Sequence, residues 1–334
     1  MADVRIGIAG VGRIGVMHAR HAARLDGVEV VLADADPARA RAAAAEVGAR
    51  VLADVDAMLR SGLDGLLVAA GTPAHPELVR AGVDAGVPVL CEKPLAPDAA
   101  RSRPLLEHIA ARGGTVRVGH QRRFDRGYQE VRRALRAGEL GWIHNLRALT
   151  CDQAPPPVEF LATSGGIFRD CSVHDFDAIR WLTGREVVEV CARGSNNGDP
   201  AIGEVGDVDT ALALLILDDG TLASVAASRY NGAGHDVRLE VQGSRGTLVA
   251  GLDEHSALRS AEAGVAFPAG APHATFAERF ADAYRAEVAA FVALVRGTGG
   301  EDLCTPEDAV AASVVADAAQ ESLEKGAPVR LRAG

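Results

Sequence analysis

The 334-residue chain carries 35 Lys and Arg against 45 Asp and Glu, and its formal net charge of −10 argues against a nucleic-acid or anionic-membrane partner. Its 48% hydrophobic and 24% charged residues suit a soluble globular protein, too long for one ordinary core, so two domains are expected. No apolar run approaches the roughly 20 residues that cross a bilayer, and residues 1–10 read as a strand entering a glycine-rich turn, so neither a membrane partner nor a signal peptide is expected and the location is cytoplasmic.

The first third alternates short apolar runs with helical segments. Runs at Val4–Ala9, Val28–Ala33, Leu66–Ala69, Val87–Leu90 and Val116–Val118 are separated by helical spacing at Ile14–Leu25, Pro37–Val47, Pro76–Ala85 and Asp98–Ala111. That alternation predicts a doubly wound parallel sheet, the Rossmann arrangement, covered on both faces. The pattern changes near residue 120. A helix at Gly127–Ala137, a strand at Ile143–Thr150 and the loop Ala154-Pro155-Pro156-Pro157 lead to longer strands over Glu186–Gly251, with turns at Asp218-Asp219-Gly220 and Gly243–Gly246. Helices are expected over Phe276–Arg296 and Pro306–Lys325, the latter opened by Thr305 as N-cap and Pro306 at its first position. The expected division is a dinucleotide-binding domain over 1–122 and an α+β domain over 123–334, its large, mainly antiparallel sheet open on one face and its last helix packing back on the first domain.

Gly10, Gly12 and Gly15 form G-x-G-x-x-G between a predicted strand and helix. Gly10 permits the tight turn, Gly12 lets a pyrophosphate approach, and Gly15 lets helix and strand pack closely. The helix start at Arg13 and Ile14 supplies N–H groups to the phosphates. Asp34 ends the second strand 19 residues after Gly15, where a carboxylate accepts both hydroxyls of an adenosine ribose and repels a 2′-phosphate. NAD is therefore expected over NADP, although Arg39 and Arg41 lie close by in sequence. Thr72, Pro73 and His75 follow the next strand, and His75 either lines the nicotinamide side or is a helix-start residue with a satisfied hydrogen bond.

Two lysines occur among the 35 basic residues, Lys93 and Lys325. Lysine can release a proton and arginine cannot, so Lys93 is either a functional amine or a chance survivor. It sits in Cys91-Glu92-Lys93-Pro94, after a predicted strand. In Gly165–Asp177, Asp170 and His174 fall four residues apart, on one face if the segment is a helix, and a carboxylate beside an imidazole commonly forms a general base. The alternative is a surface pair. Asp177 shares the face. The five cysteines form no C-x-x-C pair and the ten histidines show no H-E-x-x-H spacing, so reduced thiols and no metal are expected.

Together the glycine turn, Thr72-Pro73 with His75, Glu92-Lys93-Pro94, Gln121-Arg122-Arg123-Phe124-Asp125, and Gly165-Gly166 running into Asp170 and His174 resemble the glucose-fructose oxidoreductase / inositol dehydrogenase / MocA family over essentially the whole chain, most of all its inositol 2-dehydrogenase branch. The resemblance implies that Lys93 contacts the substrate hydroxyl and nicotinamide ribose, that His174 accepts a proton beside Asp170, and that Glu92 and Arg122 lie near cofactor. Arg123, Asp152 and His235 become substrate-side candidates; for Arg122, Arg123 and Asp125 a solvated rim position, and for Asp152 a turn, remain open. One departure stands out: a Tyr-Gly-Tyr-Asp-like segment of that branch is here Ala233-Gly234-His235-Asp236. The expected activity is oxidation of a secondary ring hydroxyl of a cyclic polyol. A sugar derivative as substrate, or a dinucleotide sensor without activity, are the alternatives. The open sheet face implies a homo-oligomer, a dimer or tetramer.

Overall fold

In the computed structural model, which describes residues 3–331, the chain divides into two compact units. The first takes in residues up to Phe124 together with Asp282–Ala311; the second takes in Asp125–Ala281 and residues from 312 onward. This differs from a single cut after residue 122, because the chain returns to the first unit for 30 residues.

The first unit is built on six strands: β1 (Val4–Ala9), β2 (Val28–Ala33), β3 (Arg50–Val51), β4 (Gly65–Val68), β5 (Val89–Glu92) and β6 (Val116–Gly119). All pairs are parallel, in the order β3-β2-β1-β4-β5-β6. Order reverses between β1 and β4, the switch point at which doubly wound sheets bind ligands beyond their strands' carboxyl ends. The strands read as near-continuous apolar runs because both faces are covered. Asp36, Asp54 and Asp98 each cap a helix by accepting N–H groups of its first turn. The return segment brings an apolar helix: Ala281–Val295 buries Ala283, Tyr284, Val288, Phe291 and Val292. A Cβ at Gly65 of β4 would meet Val295 at 2.8 Å and Phe291 at 3.2 Å, so this helix lies against the parallel sheet. Beyond it, Val118 N–H donates to Cys304 O at 3.0 Å alongside β6. The expected helix Phe276–Arg296 is interrupted at Phe280, giving Phe276–Arg279 and Ala281–Val295.

The second unit holds β7 (Ile143–Cys151), β8 (Val187–Ser195), β9 (Thr210–Leu217), β10 (Leu222–Ser228), β11 (Asp236–Gly243), β12 (Thr247–Ala250) and β13 (Val329–Arg330), in the order β12-β11-β7-β10-β9-β8-β13. The sheet is mixed: β7 and β10 run parallel, and every other pair is antiparallel. One face packs Leu146, Ala148, Leu215, Leu239 and Val241 against Tyr128 and Val131 of helix Arg126–Arg136, Phe176 and Ile179 of helix Val173–Thr183, and Val315 and Ala319 of helix Pro306–Lys325. The division between units falls inside that last helix, after Ala311. On the other face Leu212, Leu214 and Leu222 are 61%, 46% and 45% exposed. Among the described residues no helix is long and apolar enough to cross a membrane.

Candidate active site

The first unit presents its polar groups at the carboxyl ends of β1, β2, β4 and β5. Gly10 has φ +88°, and a Cβ there would fall 2.5 Å from Ala70 backbone; one at Gly15 would fall 2.0 Å from Gly10 O. Both positions therefore require glycine. A Cβ at Gly12 meets nothing within 4 Å, so open space lies over the start of helix Arg13–Ala22, where Gly12 is the N-cap without a side-chain bond. A helix start under a Cβ-free approach fits a pyrophosphate, with Arg13 and Ile14 in the first turn.

Asp34 follows β2. Its Oδ2 accepts Val11 N–H at 2.7 Å, and its Oδ1 accepts Asp36 N–H at 2.8 Å and Arg39 Nε–H at 3.1 Å. Burial pushes this carboxyl up, but those hydrogen bonds outweigh it and hold Asp34 below its ordinary value. Arg39 thus supplies a cation beside the Asp34 carboxylate at the end of β2.

Thr72 and Pro73 form a single 3₁₀ turn after β4. His75 is buried behind it, with Nδ1 2.8 Å from Pro94 O and Nε2 2.9 Å from Ala70 O. Both ring nitrogens therefore face backbone carbonyls, the satisfied-hydrogen-bond alternative, and the ring ties the β4 turn to the Lys93-Pro94 turn, whose peptide is cis. Glu92 Oε2 accepts Lys93 N–H at 3.2 Å, and Glu92 Oε1 lies 2.6 Å from His18 Nε2. Arg122 and Arg123 are buried in a 3₁₀ turn at Gln121–Phe124, which removes the solvated-rim alternative; Arg123 Nη2 pairs with Asp308 at 3.2 Å. Asp125 is an N-cap, accepting from Gly127 and Tyr128 N–H, and is ion-paired with Arg279 at 2.7 Å.

In the second unit, Gly165 and Gly166 take φ +82° and +89°, which admits glycine readily, and lead into a π-helical turn, Phe168–Ser172. The segment is therefore not one regular α-helix: Asp170 lies in the π turn and His174 in the first turn of helix Val173–Thr183. Wide turns of this kind recur at functional sites because they re-aim side chains. From Cys171 to Arg180 every residue is buried except His174, which is half-buried. Asp175 is fully buried and accepts Thr150 Oγ1–H at 2.8 Å; Asp177 is buried too.

Asp170 Oδ2 lies 3.2 Å from Arg229 Nη1. Asp152, at the end of β7, pairs its Oδ1 with His235 Nδ1 at 3.2 Å. Cys171 Sγ sits 3.9 Å from Asp152 and 4.0 Å from Asp170, so these side chains form one cluster with Arg229. His235 is buried behind Asp152, because loop 272–273 closes over Gly234 and His235 N–H donates to His273 O at 2.7 Å. Sequence reasoning missed His18, Arg229 and Asp207. A histidine inside helix Arg13–Ala22 and an arginine at a strand end are chemical signals only once their carboxylate partners are known.

Comparison with known proteins agrees with this architecture. Residues 4–120 match the oxidoreductase family with the NAD-binding Rossmann fold, and residues 128–249 match the GFO/IDH/MocA C-terminal domain. A myo-inositol dehydrogenase of Streptomyces leeuwenhoekii is 44% identical over 293 residues, 87% of this chain and 88% of that one. The structure of a myo-inositol dehydrogenase from Corynebacterium glutamicum superposes with TM-score 0.90 at 34% identity, covering 100% of both chains. That of scyllo-inositol dehydrogenase from Lactobacillus casei with bound NAD(H) and scyllo-inositol gives TM-score 0.87 at 30% identity over 98% of each chain. The chain belongs to the GFO/IDH/MocA family of oxidoreductases, with an NAD-binding Rossmann domain at its N-terminal end.

Proposed function

We propose that the protein is an NAD-dependent dehydrogenase that oxidises one secondary ring hydroxyl of an inositol-like cyclic polyol to a ketone. The observation that carries this reading is the cluster of Asp152, Asp170 and Arg229, with the half-buried His174 in the first turn of the helix that follows Asp170 and Cys171. The family membership and the inositol dehydrogenases among the relatives support it.

Oxidising a secondary alcohol requires its hydroxyl proton to leave as the C–H bond breaks. Bound NAD supplies the hydride acceptor. His174, as the neutral imidazole, takes the proton. Lys93 donates a hydrogen bond to the same oxygen and stabilises the charge that develops there. Asp170, ion-paired with Arg229, offsets the charge that forms on His174. Arg123 and Asp152 hold the remaining hydroxyls, His235 fixes Asp152 from behind, and Thr72, Pro73, Glu92 and Arg122 shape the cofactor side. Glycine turn and Asp34 bind the phosphates and ribose. The five free cysteines fit a reducing cytoplasm.

The test is nicotinamide absorbance while NAD is incubated with a panel of inositols and pyranoses. At least one is turned over, and Lys93→Ala and His174→Ala each lower kcat by about 10²–10⁴-fold. No turnover of any member, or a Lys93→Ala variant as active as wild type, ends the reading. A second reading, a ketosugar, anhydrosugar or amino sugar as substrate, draws on His235, buried against Asp152 where relatives of the inositol branch carry an aromatic; higher kcat/KM on such compounds selects it. We further propose that the exposed Leu212–Leu214–Leu222 face joins copies of the chain into a dimer or tetramer. Light scattering that finds only monomer removes this.

A further inference from the structure

Arg229, the residue after β10, has no exposed surface. A guanidinium taken out of water costs several kcal/mol unless its donors are matched. Here they are: Nε and Nη2 face Asp207 Oδ2 at 3.1 and 2.7 Å, and Nη1 faces Asp170 Oδ2 at 3.2 Å. Burial alone works against the charge of Arg229, but the neighbouring Cys171, Asp207 and Asp170 hold its pKa above the ordinary arginine value.

The two carboxylates differ. The Asp207 side chain is 3% exposed and the Asp170 side chain 17%. Asp207 is also fixed on its other oxygen, because Oδ1 accepts Ile167 and Val208 N–H, each at 2.9 Å. Ile167 is the residue that enters the π turn carrying Asp170. Asp207 therefore anchors both the start of that turn and the guanidinium that reaches Asp170. One carboxylate would suffice to neutralise a buried arginine. A second, more exposed one at the end of the fork is the arrangement of a side chain that is being aimed.

We infer that Arg229, anchored by Asp207, is a positioning residue that fixes the Asp170 carboxylate for the hydride-transfer chemistry. The inference rests on the role proposed above for Asp170. It adds a layer behind the family's motif residues, since Arg229 touches neither the reacting hydroxyl nor His174 in this assignment.

The experiment compares Arg229→Met, Arg229→Lys, Asp170→Asn and the double variant D170N/R229M, with the best polyol from the panel. Melting curves and NADH affinity serve as folding controls. D170N lowers kcat at least about tenfold. R229M lowers kcat about 10²-fold, as misplacement of a reacting group does, while polyol KM and NADH affinity stay within about threefold of wild type. The double variant is no slower than D170N alone, because Arg229 acts only through Asp170. R229K lies about tenfold below wild type, since one ammonium keeps the charge but cannot fork to both carboxylates. An impaired D170N beside an R229M with wild-type kcat overturns the role of Arg229 alone, as does a double variant that loses the product of the two single effects. D170N with wild-type kcat overturns the role of Asp170, and this inference with it. If R229M does not melt cooperatively, R229K decides: a lower kcat at unchanged KM supports the assignment, and unchanged kcat overturns it.

Discussion

Glu92 Oε1 lies 2.6 Å from His18 Nε2, which joins the helix that opens at the glycine turn to the strand end that precedes Lys93. Burial pushes the Glu92 carboxyl up, yet the His18 hydrogen bond, with the charges of His18 and Lys93, outweighs it and holds the group below its usual range. The other oxygen accepts Lys93 N–H, and the carboxyl packs against Gly119 of β6, where a Cβ would come within 3.1 Å. His18→Leu leaves this buried carboxylate short of a donor. It lowers stability by about 1–3 kcal/mol and weakens NADH binding; His18→Gln, which keeps a donor, loses less. Urea unfolding and NADH titration of the two variants check this.

His21, one turn further along that helix, gives a pH signature. Burial first, then the charges of His18 and Arg24, lower its pKa from 6.5 to about 4, and neither ring nitrogen has a hydrogen-bond partner among the described residues. The unfolded chain takes up this proton near 6.5 and the folded chain only near 4. In that window the unfolded state binds more protons, so stability is full above pH 6.5 and falls as pH drops toward 4. His21→Phe flattens this part of the profile. Unfolding midpoints at pH 7.5 and pH 5 read it, and equal losses in variant and wild type refute it. From about pH 4.5 downward the depressed carboxylates Glu92 and then Asp34 add their own acid-side loss.

On the proposed assignment, Asp34 discriminates between the two dinucleotides. Its replacement by Ala removes the charge that repels a 2′-phosphate and leaves Arg39, now released from the carboxylate at 3.0 Å, to meet that phosphate. The ratio of kcat/KM for NADP over NAD rises about tenfold or more, while Asp34→Ala/Arg39→Ala gains little. Val11 and Asp36 N–H lose their acceptor, so stability falls by about 1 kcal/mol.

Phe291 tests the return of the chain to the first unit. It has no exposed surface and sits with Val295 against Gly65 of β4. Phe291→Ala lowers stability by about 3–5 kcal/mol, measured by denaturant unfolding. A change under about 1 kcal/mol would falsify the view that this helix is part of that core.

Much of the first unit was legible because its strands are buried on both faces and because helices Pro37–Val47 and Ala99–Arg112 follow an Asp cap and end at a Gly. Pro37–Val47 and Val28–Ala33 emerge with the expected bounds. The two-residue strand Arg50–Val51 and the six-residue helix Val55–Arg60 carry too little periodicity to be read. Association of Asp282–Ala311 with the first unit depends on contacts some 200 residues apart in sequence, and no local pattern encodes them. At the site, Asp170 and His174 were visible as types at a suggestive spacing. The π turn that holds Asp170 was not, because the residues that bond its start and its carboxylate, Asp207 and Arg229, lie 40 and 59 residues further along the chain. His75 shows the same limit from the other side: its position drew attention, and only the two carbonyls facing its ring reveal what it touches.

The near-absence of lysine gives the molecule a built-in label. Lys325 lies in the last turn of its helix, ion-paired with Glu321, and Lys93 follows β5 in a half-buried turn. Amine-selective acylating or aldehyde reagents therefore have two side-chain targets in very different settings. Mass spectrometry of a single peptide follows the accessibility of Lys93, and protection of that peptide by dinucleotide or polyol reports ligand occupancy without any need for turnover.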